Sequence, residues 1–184
     1  MQKLVIGITG LHATGKDTAA NYLKTKGFVH VSLSQIIRAE ARRRKIGSSR
    51  AELVKLGNLL RRERGPGVLA ELAIERVKPY HKVVISSIRS VGEVKHLRKS
   101  DRFVLVELAA DPEVRLKRLK KRGRKDERSM TVEEMLRREQ LENSNDPNAM
   151  QLHKVIAMAD KVIDDNGSKE ALYKSLDAFL SQLR

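Results

Sequence analysis

Leu4-Val5-Ile6-Gly7-Ile8-Thr9-Gly10-Leu11-His12-Ala13-Thr14-Gly15-Lys16-Asp17-Thr18 is the stretch from which the fold can be read. Lys3 to Thr9 is mostly apolar and β-branched and ends at a glycine, the pattern of a strand buried on both faces. From Asp17 to Lys26, Ala19, Ala20, Tyr22 and Leu23 recur at helical spacing until Gly27 stops the run. Between them Gly10, Gly15 and Lys16 have the spacing of a phosphate-cradling loop. Glycines allow main-chain N–H groups to turn inward, the helix start adds its positive end, and a lysine there reaches the β- and γ-phosphates. The expected nucleotide contacts are Gly10, His12, Ala13, Thr14, Gly15, Lys16, Asp17 and Thr18.

The strict form of this loop places a hydroxyl directly after the lysine, as a magnesium ligand. Here Asp17 follows Lys16 and the hydroxyl comes one residue later, at Thr18. Asp17 has three readings: a magnesium contact, direct or through water; a group that helps take up a proton; or a helix cap. The expected donor is ATP and the expected metal is magnesium, held partly through water by Asp17 and Thr18.

Outward from the loop the chain alternates. Strands are expected at 28–33, 82–88, 102–109 and 161–165, and helices at 35–45, 50–64, 68–77, 91–99, 112–122, 131–142, 149–159 and 168–183. Ser48-Ser49 caps the helix from Arg50, Asp111-Pro112 opens the one ending at Arg122, and Thr131 with Glu134 forms a capping box. Strands separated by helices require crossover connections, hence a parallel sheet covered on both faces. In such sheets ligands bind beyond the carboxyl ends of the strands, where Gly10, Ser86 and Asp111 fall.

Of 184 residues 40% are hydrophobic and 33% charged, a globular composition sized for one domain. The absence of cysteine excludes disulfides and thiolate metal sites and favours a reducing, cytoplasmic setting. Five scattered histidines share no ligand spacing, and nothing approaches a membrane span. The net charge of +15 is concentrated at Arg38 to Arg64 and Arg115 to Arg128, each carrying a surplus of +7. Either these stretches form a solvated, heat-tolerant surface or they face a polyanion. Nucleic acid is one such partner; six Phe and Tyr residues without Trp offer few stacking platforms, so nucleotide phosphates suit the charge better.

The loop's Gly15-Lys16-Asp17-Thr18, Arg38 with Glu40 and Arg42 to Arg44, Leu60 to Gly67, Ile88-Arg89-Ser90 with Glu93-Val94, Arg122 to Asp126, and Ala159-Asp160 with Asn166-Gly167 span nearly the whole chain. Together they resemble the nucleoside monophosphate kinase-like P-loop proteins, in the branch of deoxynucleoside monophosphate kinases and dephospho-CoA kinase. The similarity extends to a largely archaeal family related to dephospho-CoA kinase and adenylate kinase. The resemblance implies a three-layer α/β/α P-loop NTPase fold with a five-stranded parallel sheet. It implies one domain over 1–184, with an acceptor-binding helical insert at about 34–79 and a mobile basic lid at about 118–142.

By the same resemblance, the substrate contacts are Ser34, Arg38 and Arg89, because a guanidinium fork grips a phosphate-bearing small-molecule acceptor through paired hydrogen bonds. Arg122 is expected over the adenine; Arg124, Arg128 and Arg138 reach the transferring phosphoryl group; Asn166 and Gly167 lie along the adenine, although a plain strand-to-helix turn explains those two equally well. Lys16, Asp17, Arg89, Arg124, Arg128 and Arg138 form the expected catalytic set. Two departures stand out: Ser86-Ser87 replaces an acidic residue that helps hold magnesium, and Ser34-Gln35 replaces a Gly-Asp pair. The acceptor is expected to be a nucleoside or deoxynucleoside monophosphate, with dephospho-CoA as the alternative. A nucleotide-binding module without catalysis, a weak ATPase and a nucleic-acid-associated ATPase are the competing functions. Oligomeric state is not legible in the sequence.

Overall fold

A computed structural model describes residues 2–100, 102–123, 127–140 and 143–183. Five parallel strands form one sheet: β1 (Leu4–Thr9), β2 (Val29–Ser32), β3 (Lys82–Ser86), β4 (Arg102–Ala109) and β5 (Lys161–Asp164). Their order is β2-β3-β1-β4-β5. β1 is central because it is apolar on both faces: Val5 joins one core, and Ile6 and Ile8 join the other.

α1 (Lys16–Thr25) and α9 (Lys169–Ser181) cover one face, burying Ala19, Ala20, Leu23, Leu172, Leu176 and Phe179. The opposite face is covered by α2 (Leu33–Arg43), α3 (Arg50–Arg64), α4 (Val68–Arg76) and α5 (Val91–Leu97). α6 (Pro112–Arg122) and α7 (Val132–Gln140) meet through a small cluster of Leu119, Met130 and Met135. α8 (Leu152–Ile156) packs its Val155 into the second-face core. This is the three-layer α/β/α P-loop NTPase fold. Among the described residues no helix is long and apolar enough to cross a membrane.

Parallel register brings all the carboxyl ends to one edge. Ile8 pairs with Ser86, Ser32 with Ser86, Thr9 with Glu107 and Ala109 with Asp164. The loop after β1 therefore lies beside the ends of β3 and β4.

Local capping matches the residue types. Ser49 and Glu52 exchange hydrogen bonds at the start of α3. Thr131 and Glu134 do the same before α7, at 3.1 and 3.2 Å. Asp111 occupies the cap position of α6 without a side-chain cap bond.

Several elements are shorter than expected, and for two of them the structure shows why. The third strand stops at Ser86 rather than Ile88, because Ser87 turns the chain with φ 65°. The helix expected over 149–159 is only α8, since the preceding backbone has other partners. Ser144 N–H donates to Met150 O at 2.9 Å, Gln151 bridges Asn143, and Gln151 N–H donates to Arg89 O at 2.8 Å.

Candidate active site

Where β1 ends, Thr9 donates its hydroxyl to Ile88 O at 3.1 Å, tying the loop to the chain that leaves β3. Gly10 (φ 133°) and Gly15 (φ 77°) occupy backbone regions closed to most side chains. A Cβ at Gly10 would strike Leu108 O, and one at Gly15 would strike the Asp165 carboxylate. Ala13 holds φ 60° without being glycine, a conformation that costs about 1–2 kcal/mol. The loop thus carries positive-φ residues at Gly10, Ala13 and Gly15, the kind of backbone turn from which anion nests are built.

Lys16 opens α1 and folds back over the loop, donating to Gly10 O at 2.8 Å, to Leu11 O, and to Thr14 Oγ1 at 3.3 Å. Its ammonium is held at the loop by carbonyl oxygens. Asp17 is exposed in the first turn of α1, and Thr18 is half-buried one residue further on. Both carry oxygen donors of the kind a hard cation such as magnesium takes. The end of β3 adds hydroxyls rather than a carboxylate. Ser86 Oγ lies 2.8 Å from His30 Nε2, and Ser32 Oγ lies 2.8 Å from Ser34 Oγ and 3.2 Å from Ser87 Oγ. Burial pushes the His30 imidazole below its ordinary pKa, so it is neutral near pH 7.

Beside the loop, between α2, α3 and the end of β3, opens a cavity of about 590 Å³. Its polar wall includes Ser34, Arg38, Arg50, Ser87 and Arg89, and its apolar wall Ile37, Leu53, Leu69 and Met150. The three residues expected to contact substrate therefore share one cavity with His12 of the loop.

Arg89 is fixed through its backbone. Its N–H donates to Glu93 Oε2 at 2.8 Å and its carbonyl accepts from Gln151. Glu93, fully buried, also accepts from Ser90 N–H at 3.0 Å and pairs with the buried Arg61 at 2.7 Å. The Gly65-Pro66-Gly67 block packs on the same turn: Ser90 Oγ donates to Pro66 O at 3.1 Å, and a Cβ at Gly92 would strike Pro66 backbone. That block buttresses the arginine from behind.

The basic segment is engaged by carboxylates. Arg122, expected at the adenine, pairs with Glu127. Arg128 is exposed and donates to Gly123 O at 3.2 Å. Arg138 is half-buried and lines a small recess with His12, Arg50 and Glu127. Arg124 lies outside the described residues. Asn166 accepts from Asp111 N–H at 2.7 Å and donates to Asp164 at 2.7 Å, and Gly167 follows it, so both sit at the β4–β5 end of the sheet.

Residues without a motif complete the loop's surroundings. Arg115, almost fully buried, ion-pairs with Glu139, and Glu139 also accepts from His12 N–H at 3.2 Å. Arg118 donates to Asp165 Oδ2 at 2.9 Å and to Ala13 O at 3.3 Å. Burial raises the Asp165 carboxyl pKa, and Arg118 opposes that shift. Nothing in the local pattern separates these charges from their many basic and acidic neighbours.

A protein-family model described as an AAA domain matches residues 6–142. A UPF0200 protein of Thermococcus kodakarensis is 31% identical over 191 residues, covering 98% of this chain and 100% of the relative. Among solved structures, a Thermus thermophilus protein superposes with TM-score 0.63 at 23% identity, covering all of both chains. Shikimate kinase from Bacteroides thetaiotaomicron superposes with TM-score 0.60 at 17% identity over 98% of each chain. At those identities the two structures establish the shared fold. The family match and the near-full-length relative together make this chain a member of the UPF0200 family, built on an AAA domain.

Proposed function

We propose that this chain is a small-molecule kinase that transfers a phosphoryl group from ATP to an acceptor already bearing a phosphate, such as a nucleoside or deoxynucleoside monophosphate. The observation that carries the reading is the 590 Å³ cavity, which opens beside the loop and has Arg38, Arg50 and Arg89 in its walls. Among its described lining residues the one carboxylate is Glu127, which is ion-paired with Arg122. An alcohol acceptor would need a base to remove its proton. A phosphate acceptor is already ionised near neutral pH and needs mainly charge neutralisation and alignment. A guanidinium-rich cavity whose described lining holds no unengaged carboxylate suits the second chemistry, which favours a monophosphate over dephospho-CoA, phosphorylated on a hydroxyl.

In this reading Lys16 and the loop amides hold the donor phosphates, and Ser34, Arg38 and Arg89 hold the acceptor. Arg122, Arg124, Arg128 and Arg138 belong to a basic lid that closes over the donor. Asn166 and Gly167 flank the adenine. Asp17 and Thr18 hold magnesium, partly through water; the metal, when bound, neutralises charge on the transferring phosphates.

ADP formation should rise above the ATP-only rate when one member of a panel of nucleoside and deoxynucleoside monophosphates is added, and less with dephospho-CoA. If no acceptor raises turnover, the kinase reading is lost. Ser86 and Ser87 at the end of β3 favour one competing reading, a nucleotide-binding module or weak ATPase, and that outcome would select it. Stimulation by RNA or DNA with steep salt dependence would select a nucleic-acid-associated ATPase.

Ser86→Asp should restore a carboxylate near the metal. The magnesium concentration giving half-maximal thermal stabilisation of the ATP complex is expected to fall several-fold, roughly one charge-assisted contact. An unchanged midpoint would place Ser86 away from the metal.

A further inference from the structure

Arg50 is the first residue of α3 and sits inside the Ser49–Glu52 capping box, whose two reciprocal hydrogen bonds hold the turn around it. From there its guanidinium crosses to the loop, with Nη2 2.7 Å from His12 Nε2. A helix from the acceptor side of the cavity thus touches the donor loop through a side chain. A guanidinium only donates, so in this contact Nε2 of His12 is the acceptor.

Arg50 also stands between two spaces. It lines the 590 Å³ cavity and the smaller recess that runs to Leu119, Met135 and Arg138, and His12 and Glu127 are the other residues common to both. The cavity, the loop and the basic segment before α7 meet at this guanidinium. A phosphoryl group moving from a donor on the loop to an acceptor in the cavity has to cross that boundary. Its transition state spreads charge over three equatorial oxygens, which a planar five-donor fork can bind on two sides at once.

We infer that Arg50 is a catalytic arginine that contacts the transferring phosphoryl group from the acceptor side, and that His12 is the positioning residue that holds it at the loop. The inference rests on the phosphotransfer reading above. It differs from the lid arginines in origin: this charge is carried by a capped helix start and is in place before any segment closes.

The test is binding of ADP with and without aluminium fluoride, a planar mimic of the transferring group, followed by calorimetry with magnesium present. Wild type is expected to bind the ADP–fluoroaluminate pair more tightly than ADP. Arg50→Ala should lose about tenfold or more of affinity for the pair while ADP affinity stays within about twofold, the signature of an interaction made with the transferring group alone. Arg50→Lys should not restore it, and added guanidinium should restore it in part. Lys55→Ala, an exposed cation on the same helix, controls for lost net charge and should leave both affinities unchanged. His12→Ala should weaken binding of the pair by a larger factor than it weakens binding of ADP alone.

Equal fluoroaluminate affinity in Arg50→Ala and wild type, with both folded by thermal melting, would overturn the inference. Absence of ADP binding by wild type would overturn it together with the nucleotide site. Should wild type bind the pair and respond as expected to Arg50→Ala, yet no acceptor stimulate turnover, the contact stands and the acceptor reading fails.

Discussion

Lys16→Ala is expected to lower ATP-dependent turnover by about 10³-fold, below ordinary detection, because in the proposed reading it removes the loop ammonium that faces the charge building on the transferring group. In the structure that ammonium lies on Gly10 O, Leu11 O and Thr14 Oγ1, all loop atoms. Its removal leaves the strained turns at Gly10, Ala13 and Gly15 in place, since those depend on backbone and on contacts with Leu108 and Asp165. The melting temperature should therefore change little while turnover collapses. A steady-state assay of ADP formation beside thermal denaturation separates the two, and full activity in the variant would remove Lys16 from the mechanism.

Glu93→Ala is expected to be the most damaging single change to stability, costing about 3–5 kcal/mol because it strands a buried guanidinium. Arg61 and Glu93 are both almost fully buried, and Glu93 also accepts from the N–H groups of Arg89 and Ser90. For a chain of this size that loss corresponds to a melting temperature lower by roughly 6–20 °C. Where the variant still folds, the turn carrying Arg89 loses its anchor, so acceptor binding should weaken more than ATP binding. Pairing Glu93→Gln with Arg61→Met should cost less than the two single changes added together, because neither partner is then left charged and alone. Additive losses would mean the ion pair does not act as a unit.

The loop was legible because everything that defines it is local. A strand, two glycines, a lysine and a helix follow in order within twenty-odd residues, and the glycines at 10 and 15 do hold positive φ. Helix starts at Arg50 and Val132 were equally readable from Ser49 and Thr131, since a cap acts over three residues. The helix expected over 149–159 failed for the opposite reason. Its first backbone groups bond to Ser144 and to Arg89, and Arg89 lies outside any window around residue 150.

Among the charged residues the limit was the same. Arg38 and Arg89 could be picked out by similarity to kinases, whereas Arg50 is one cation among ten in the stretch from Arg38 to Arg64. Its distinction is a contact with His12, 38 residues away. Arg61, which lay inside a recognised block of sequence, proved to be the buried partner of Glu93.

The sequence by itself determined the alternation of strands and helices, the phosphate-cradling loop and the basic character of its surroundings, because hydrophobic period, glycine freedom and capping act over a few consecutive residues. Tertiary structure alone decided the strand order β2-β3-β1-β4-β5, the cavity beside the loop, and which cations face it and which are taken up by Glu93, Glu127 and Glu139. Those depend on burial and on pairings across the chain, and a charge's neighbours in space are fixed only when the sheet has brought its carboxyl ends together.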